Sequence, residues 1–219
     1  MVGEKAHMSS ARDEILAHIR QAARGDASSA TNEYAQIERQ YQQTAKLSKE
    51  EILDLLTRRL IEYDANVYRA HEAEVAELCG ELFARKGARR IVVPKDLPAA
   101  WQSGAEFVLD EDLDAAALDR FDGVMTAATL AIAETGTIVL QNAHAQGRRA
   151  ISLVPDYHLC VVSQKDTVET VVEGMRILEA TQHLPTTFFS GPSATADIEM
   201  TRIKGVHGPR FVDVVILVM

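Results

Sequence analysis

Apolar positions along this chain follow two rhythms. In "SKEEILDLLTRRLIEYDANVYRA", Ile52, Leu55, Leu56, Leu60 and Ile61 recur at helical spacing, and Ser48 with Glu51 has the spacing of a capping box, so a helix is expected there. "HEAEVAELCGELFARKG" predicts a second amphipathic helix, stopped by Gly87. Between and after them come short apolar runs that read as strands: "ANVYRA", "RRIVV" ended by Pro94, "EFVLD", residues 123–125, residues 137–141, "TTFFSG" and "RFVDVVILVM". "LDAAALDRF" reads as a helical turn, and "DTVETVVEGMRIL" as a helix with Asp166 as cap candidate. A short helix is expected to begin near Thr126, with Gly136 turning the backbone after it. "ISLVPDYHLCVVS" reads as two strands about Pro155, and "PSATADIEM" as the start of a helix.

Strands alternate with helices throughout, and runs such as residues 91–93, 160–162 and 214–218 are apolar at every position. That pattern fits a sheet covered by helices on both faces, with an antiparallel part at 151–162. Ahead of residue 47 the rhythm changes. Residues 10 to about 24 form a helix with an Ile15, Leu16, Ile19 stripe, and residues 25–46 are polar and poor in aliphatics, with a weak helix near 34–43. The division expected is an N-terminal helical arm and linker over 1–46, with residues 25–46 cut first by proteases, and a folded domain over 47–219.

The 219 residues carry 47% hydrophobic and 25% charged side chains and a net charge of −9, which argues for a globular protein and against nonspecific nucleic-acid binding. No apolar core of signal-peptide or membrane-span length is seen, so a cytoplasmic location and no membrane span are expected. Cys79 and Cys160 are far apart in apolar surroundings and read as buried thiols, not as the four thiolates of an iron–sulfur cluster. No GxGxxG, Walker A or GxSxG pattern occurs, and the His and acidic residues lack metal-ligand spacing, so no cofactor and no metal are expected in this chain.

Three glycine-bearing blocks carry the candidate chemistry. "LAIAETGTIVL", residues 130–140, sets Glu134 in an apolar run beside Thr135, Gly136 and Thr137. An acid there faces a ligand, or pairs with Arg148, Arg149 or backbone donors; the threonines bind an anion or cap the turn. "SGPSATADIE" follows an expected strand, and Ser190, Gly191, Ser193 and Thr195 suit an anion at a helix start, although Asp197 and Glu199 oppose one and equally suit a plain helix dipole. "KGVHGPR" frames His207 between Gly205 and Gly208 as an acid/base candidate or a surface histidine, whereas His158 reads as a satisfied core residue. Glu134, residues 190–195 and His207 are expected to converge on one pocket at the carboxyl ends of central strands.

"AIAETGTIVL", "ISLVPDYHLCVV", "SGPSATADIE" and "GVHGPRFVDVVIL" together resemble, in order and spacing, the LUD domain family and its lactate-utilisation members, over roughly residues 47–219. The resemblance implies a three-layer α/β/α fold with a mixed, mostly parallel sheet, related to the NagB/RpiA/CoA-transferase group. It also implies an accessory component of L-lactate oxidation to pyruvate, with iron–sulfur clusters only in partner subunits; the residue blocks themselves suggest a small carboxylate or phosphate ligand near Glu134, residues 190–195 and His207. Two alternatives stay open. One is a stand-alone enzyme on an acyl thioester or phosphorylated small molecule, with Glu134 as nucleophile or base and His207 as acid/base. The other is a metabolite-sensing module.

Overall fold

The computed structural model describes residues 11–23, 27–195, 203–205 and 207–219. The chain divides into two compact units, Met1–Tyr41 and Gln42–Met219. The first holds helices α1 (Ala11–Ala22) and α2 (Ala27–Gln36), the latter lying earlier than the weak helix expected at 34–43. No side chain of α1 is buried, and Ile15 and Ile19 stay exposed.

The second unit opens a few residues ahead of the expected boundary. Glu169 accepts from the amides of Lys46 and Leu47 at 2.6 and 2.8 Å and from the Gln42 side chain at 2.6 Å. Glu173 accepts from the Ala45 amide at 2.9 Å, and Arg176 donates to the Gln43 carbonyl at 2.8 Å. A polar segment therefore docks through backbone donors, which an apolar pattern cannot reveal.

Helix α3 (Lys49–Glu62) starts at Ser48 with both halves of its capping box formed. Then come β1 (Asn66–His71), α4 (Val75–Lys86), β2 (Arg90–Val93), β3 (Glu106–Leu109), α5 (Ala115–Leu118) and β4 (Gly123–Ala127). α4 ends at Gly87 in the left-handed region, as its sequence predicts. Next follow β5 (Leu130–Ile132), β6 (Thr137–Leu140), α6 (Arg149–Leu153), β7 (Tyr157–Ser163), β8 (Thr167–Val168) and α7 (Val171–Glu179). The remaining strands are β9 (Thr187–Phe189), β10 (Ala194–Thr195), β11 (Ile203–Lys204) and β12 (Phe211–Val218).

Six strands form one parallel sheet in the order β1-β12-β7-β4-β2-β3. Both faces are covered, so alternate residues of one strand enter different cores. Leu159 and Val161 of β7 pack with Val75, Cys79, Leu82 and Phe83 of α4, while Cys160 and Val162 pack with Ile52, Leu53, Leu56 and Leu60 of α3. This is why these strands read as unbroken apolar runs.

Four expectations need correction. Residues 130–132 form a strand, not a helix: β5 and β6 pair as an antiparallel hairpin within a separate sheet, β8-β5-β6-β9. Residues 149–153 form a helix, not a strand, so the antiparallel part lies in that second sheet and β7 is parallel to both its neighbours. α7 is capped by Thr170, in a full capping box with Glu173, rather than by Asp166. Ala194 and Thr195 pair with Ile203 and Lys204 as a strand instead of opening a helix; Asp197 and Glu199 lie outside the described residues.

Candidate functional site

A pocket of about 350 Å³ lies where β9 ends and β7 and β12 begin. Its apolar wall includes Leu140, Leu153, Phe188, Phe189 and Val212. Its polar wall brings together Ser190, Gly191, Ser193, His207 and Gly208 from the two predicted loop blocks, with Arg149, Ser152 and His158 added. His158 and Val212 are the second residues of β7 and β12. The pocket thus sits at the amino ends of these parallel strands, not at their carboxyl ends as expected. The loop from β9 and the loop into β12 both reach that end, and this fixes the location.

Backbone hydrogen bonds join the two loops. The Ser193 amide donates to the Pro209 carbonyl at 2.8 Å, and the Gly205 amide donates to the Ser193 carbonyl at 2.8 Å. The His207 amide donates to Ser193 Oγ at 3.1 Å. Gly191 has φ 122°, and a Cβ there would lie 2.6 Å from the Tyr63 carbonyl oxygen, so only glycine fits the close approach. Thr195 pairs with Ile203, and Gly205 donates to the Ser193 carbonyl, so both belong to the backbone frame of the loops.

His158 is buried, and its Nε2 lies 2.8 Å from Thr126 Oγ1. Burial pushes its pKa down from 6.5 to about 4, so the ring is neutral at pH 7. It is a satisfied core histidine, as its sequence suggests, and also a pocket wall, which the sequence does not suggest. Arg149 is exposed at the first turn of α6 and, among the described residues, has no ion-pair partner. Among the described lining residues it is the cation of the pocket. Its neighbour Arg148 is committed elsewhere, to Asp110, and Arg210 pairs with Asp156.

Glu134 does not line the pocket. Its side chain is exposed and accepts from the Val171 amide, the first of α7, at 3.2 Å, while its own amide donates to the Glu169 carbonyl at 2.9 Å. The acid satisfies a free helix donor and complements the positive end of the helix. Neither Arg148 nor Arg149 pairs with it. Gly136 has φ 61°, and a Cβ there would lie 2.6 Å from Arg59 Cβ, so this glycine serves the packing of the turn on α3 rather than the approach of a ligand. The two threonines connect the turn to the pocket rim. Thr135 Oγ1 lies 2.7 Å from Thr137 Oγ1, which lies 3.1 Å from Ser190 Oγ.

Chemically, the pocket offers one guanidinium, a neutral imidazole, a second exposed imidazole and hydroxyls against an apolar floor. That suits a small anion with a short carbon body. Among the described residues neither Ser190 nor Ser193 hydrogen-bonds an imidazole side chain. Arg149 is the residue that sequence reasoning passed over, since "GRR" reads equally well as a solvated basic patch.

A parallel sheet with helices on both faces and a second small sheet against it define an α/β fold, with a compact pocket at one end. The LUD domain model matches residues 2–217, and the chain belongs to the LUD domain family. It is 43% identical over 182 residues to lactate utilization protein C of Deinococcus radiodurans, covering 81% of this chain and 84% of that one. To lactate utilization protein C of Anoxybacillus flavithermus it is 30% identical, covering 74% and 78%. The crystal structure of a DUF162 family protein from Deinococcus radiodurans superposes with a TM-score of 0.68 at 36% identity, covering 78% of this chain and 99% of that one. No helix among the described residues is long and apolar enough to cross a membrane.

Proposed function

We propose that this chain is an accessory component of an L-lactate-utilisation system in the cytoplasm. It works beside iron–sulfur subunits and holds a small carboxylate or phosphate anion in the pocket of Arg149, Ser190 and His207. The observation that carries the lactate role is the 43% identity, over most of both chains, to a relative named for lactate utilization. The pocket supports the anion: its guanidinium has no carboxylate partner among the described residues, and its floor is apolar. Placing the electron carriers in partners fits the thiols. Cys79 and Cys160 are both buried, in different cores, and burial pushes each up to about 12, which keeps them protonated and poor metal ligands.

The test is a deletion in the native host, grown on L-lactate as sole carbon source, with affinity purification of the tagged chain from lactate-grown cells. Loss of growth restored by the wild-type chain, with iron–sulfur subunits recovered alongside it, is the expected result. Normal growth of the deletion strain would reject the lactate role. Titration of the purified chain with L-lactate, pyruvate and phosphate tests the pocket separately, and indifference to all three would reject the anion.

A further inference from the structure

The carboxyl ends of the parallel strands hold a second cavity, independent of the first. β2 leads outward to β3, whereas β4 leads through the second sheet and α6 to β7, on the other side. The connections diverge between β2 and β4, and a crevice opens beyond the carboxyl ends of such a strand pair. Here it measures about 530 Å³, and its walls come from the loops that follow β2, β3 and β6.

Those loops are held in costly conformations. Of the four non-glycine residues with positive φ among the described residues, three lie here: Asp112 at 60°, Asn142 at 50° and Ala145 at 59°. L side chains rarely adopt this region, and the conformation persists because the surroundings impose it. Buried Gln146 does so for the 142–145 loop, its carbonyl oxygen accepting from the Gln141 amide at 2.7 Å and from Thr129 Oγ1 at 3.1 Å. The Ala145 carbonyl accepts from the Ala127 amide at 2.7 Å, which ties the loop to the end of β4.

The outcome is a fixed set of polar groups. Asp110 is buried and takes Arg148 in a two-pronged pair, Nε to Oδ2 at 2.6 Å and Nη2 to Oδ1 at 2.8 Å. That pair is saturated further by the Leu113 amide and carbonyl. Asp96 Oδ2 lies 2.8 Å from His144 Nδ1. A carboxylate only accepts, so Nδ1 carries the proton, and in the Nδ1–H tautomer Nε2 is an acceptor facing the crevice. Burial pushes the Asp96 carboxyl up, but backbone donation from Ala145 and from its own amide, with His144, outweighs it and holds the acid ionised. Lys95 is exposed on the same wall and, unlike Arg148, forms no ion pair among the described residues.

We propose that this crevice is a second small-molecule site, for a hydroxylated acid whose anionic group pairs with Lys95 and whose hydroxyl donates to His144 Nε2, the imidazole being oriented by Asp96. The class follows from what is unspent among the described residues of the lining: the Lys95 ammonium for an anion, the His144 Nε2 acceptor for an O–H, and Asn142 for a further polar group, while the exposed Asp112 carboxylate lies 4.0 Å from the Arg148 guanidinium. A plain carboxylate without a hydroxyl uses only half of the site.

The test is nuclear magnetic resonance of the nitrogen-15-labelled full chain, following the His144 ring nitrogens and the Lys95 ammonium. L-lactate and glycerate serve as hydroxylated probes and acetate as the control, each at millimolar concentration. Free His144 is expected as the Nδ1–H form. The hydroxylated probes are expected to shift its Nε2 signal, and acetate is not. His144→Ala and Lys95→Ala, both at exposed positions, should each weaken glycerate binding here roughly tenfold. Arg149→Ala should leave it intact, which separates this site from the pocket at the other end. A silent His144 with both hydroxylated probes, an equal response to acetate, or unchanged binding in Lys95→Ala would each overturn the proposal.

Discussion

Arg148 and Arg149 are neighbours in sequence and serve opposite ends of the sheet. Arg148 lines the crevice beyond the carboxyl ends of β2 and β4, but both prongs of its guanidinium are held by Asp110. Arg149, one residue on, opens α6, the helix that returns the chain toward the start of β7, and lines the pocket there with no ionic partner among the described residues. One guanidinium is spent on structure; the other, among the described residues, carries no carboxylate. Side-chain identity does not distinguish them; only the position of Asp110, which comes from a different strand's exit, does so.

The largest expected difference between the two ends is in response to acid. His158 at the pocket has a folded pKa of about 4, below its ordinary 6.5, so the unfolded chain binds more protons between those values. Stability should be full above pH 6.5 and fall by up to about 3 kcal/mol as pH drops toward 4. His158→Gln should flatten that limb in urea melts recorded across the range, and an unchanged slope would show that the ring is not the group titrating. Asp110 acts lower. Arg148 holds its carboxyl below the usual 3.8, so its contribution is complete above that value and is lost as pH falls through the folded pKa.

Next in size is the cost of breaking the spent pair. Asp110→Ala leaves Arg148 and the Leu113 amide without their acceptor and should lower stability by about 2–3 kcal/mol, read as a shifted denaturation midpoint. Arg149→Ala should do the reverse. Its melting temperature should match the wild type, while binding of the anion in the pocket weakens about tenfold by calorimetry. A destabilised Arg149→Ala protein with intact binding would erase the contrast between the two arginines.

The smallest effect is expected at Glu134. Its carboxylate holds one exposed amide at the start of α7, so Glu134→Gln should cost no more than about 1 kcal/mol and leave anion binding in the pocket unchanged. Loss of binding at unchanged stability would return Glu134 to the site.

Much of the fold was legible because the signals were local. Ser48 with Glu51, Gly87, and the unbroken runs in β7 and β12 each state their element within a few residues. The hairpin at 130–140 was not, because "TAATLAIAE" is rich in helix formers and its strand pairing is imposed by β8 and β9. Residues 149–153 alternate like a strand yet form the short crossover helix. Ser190, Gly191, Ser193, His207 and Gly208, which line the pocket, lie in glycine and hydroxyl clusters flanking strands that the sequence displays directly. Glu134 misled because its partner is a backbone amide from an element that lies later in the chain. Arg149 gave no signal, since an arginine with a partner and one without are spelled alike.

The parallel sheet also sets an order of assembly. β12 lies between β1 and β7, and the Asn66–Asp213 pair joins residues 147 apart in sequence. A ribosome therefore delivers α3, β1 and β7 long before the strand that joins them. Until β12 inserts, the apolar faces of β1 and β7 and part of the core beneath α3 stay open to water and to other chains. Synthesis rate and chaperone supply should therefore govern the yield of this protein more than its final stability does.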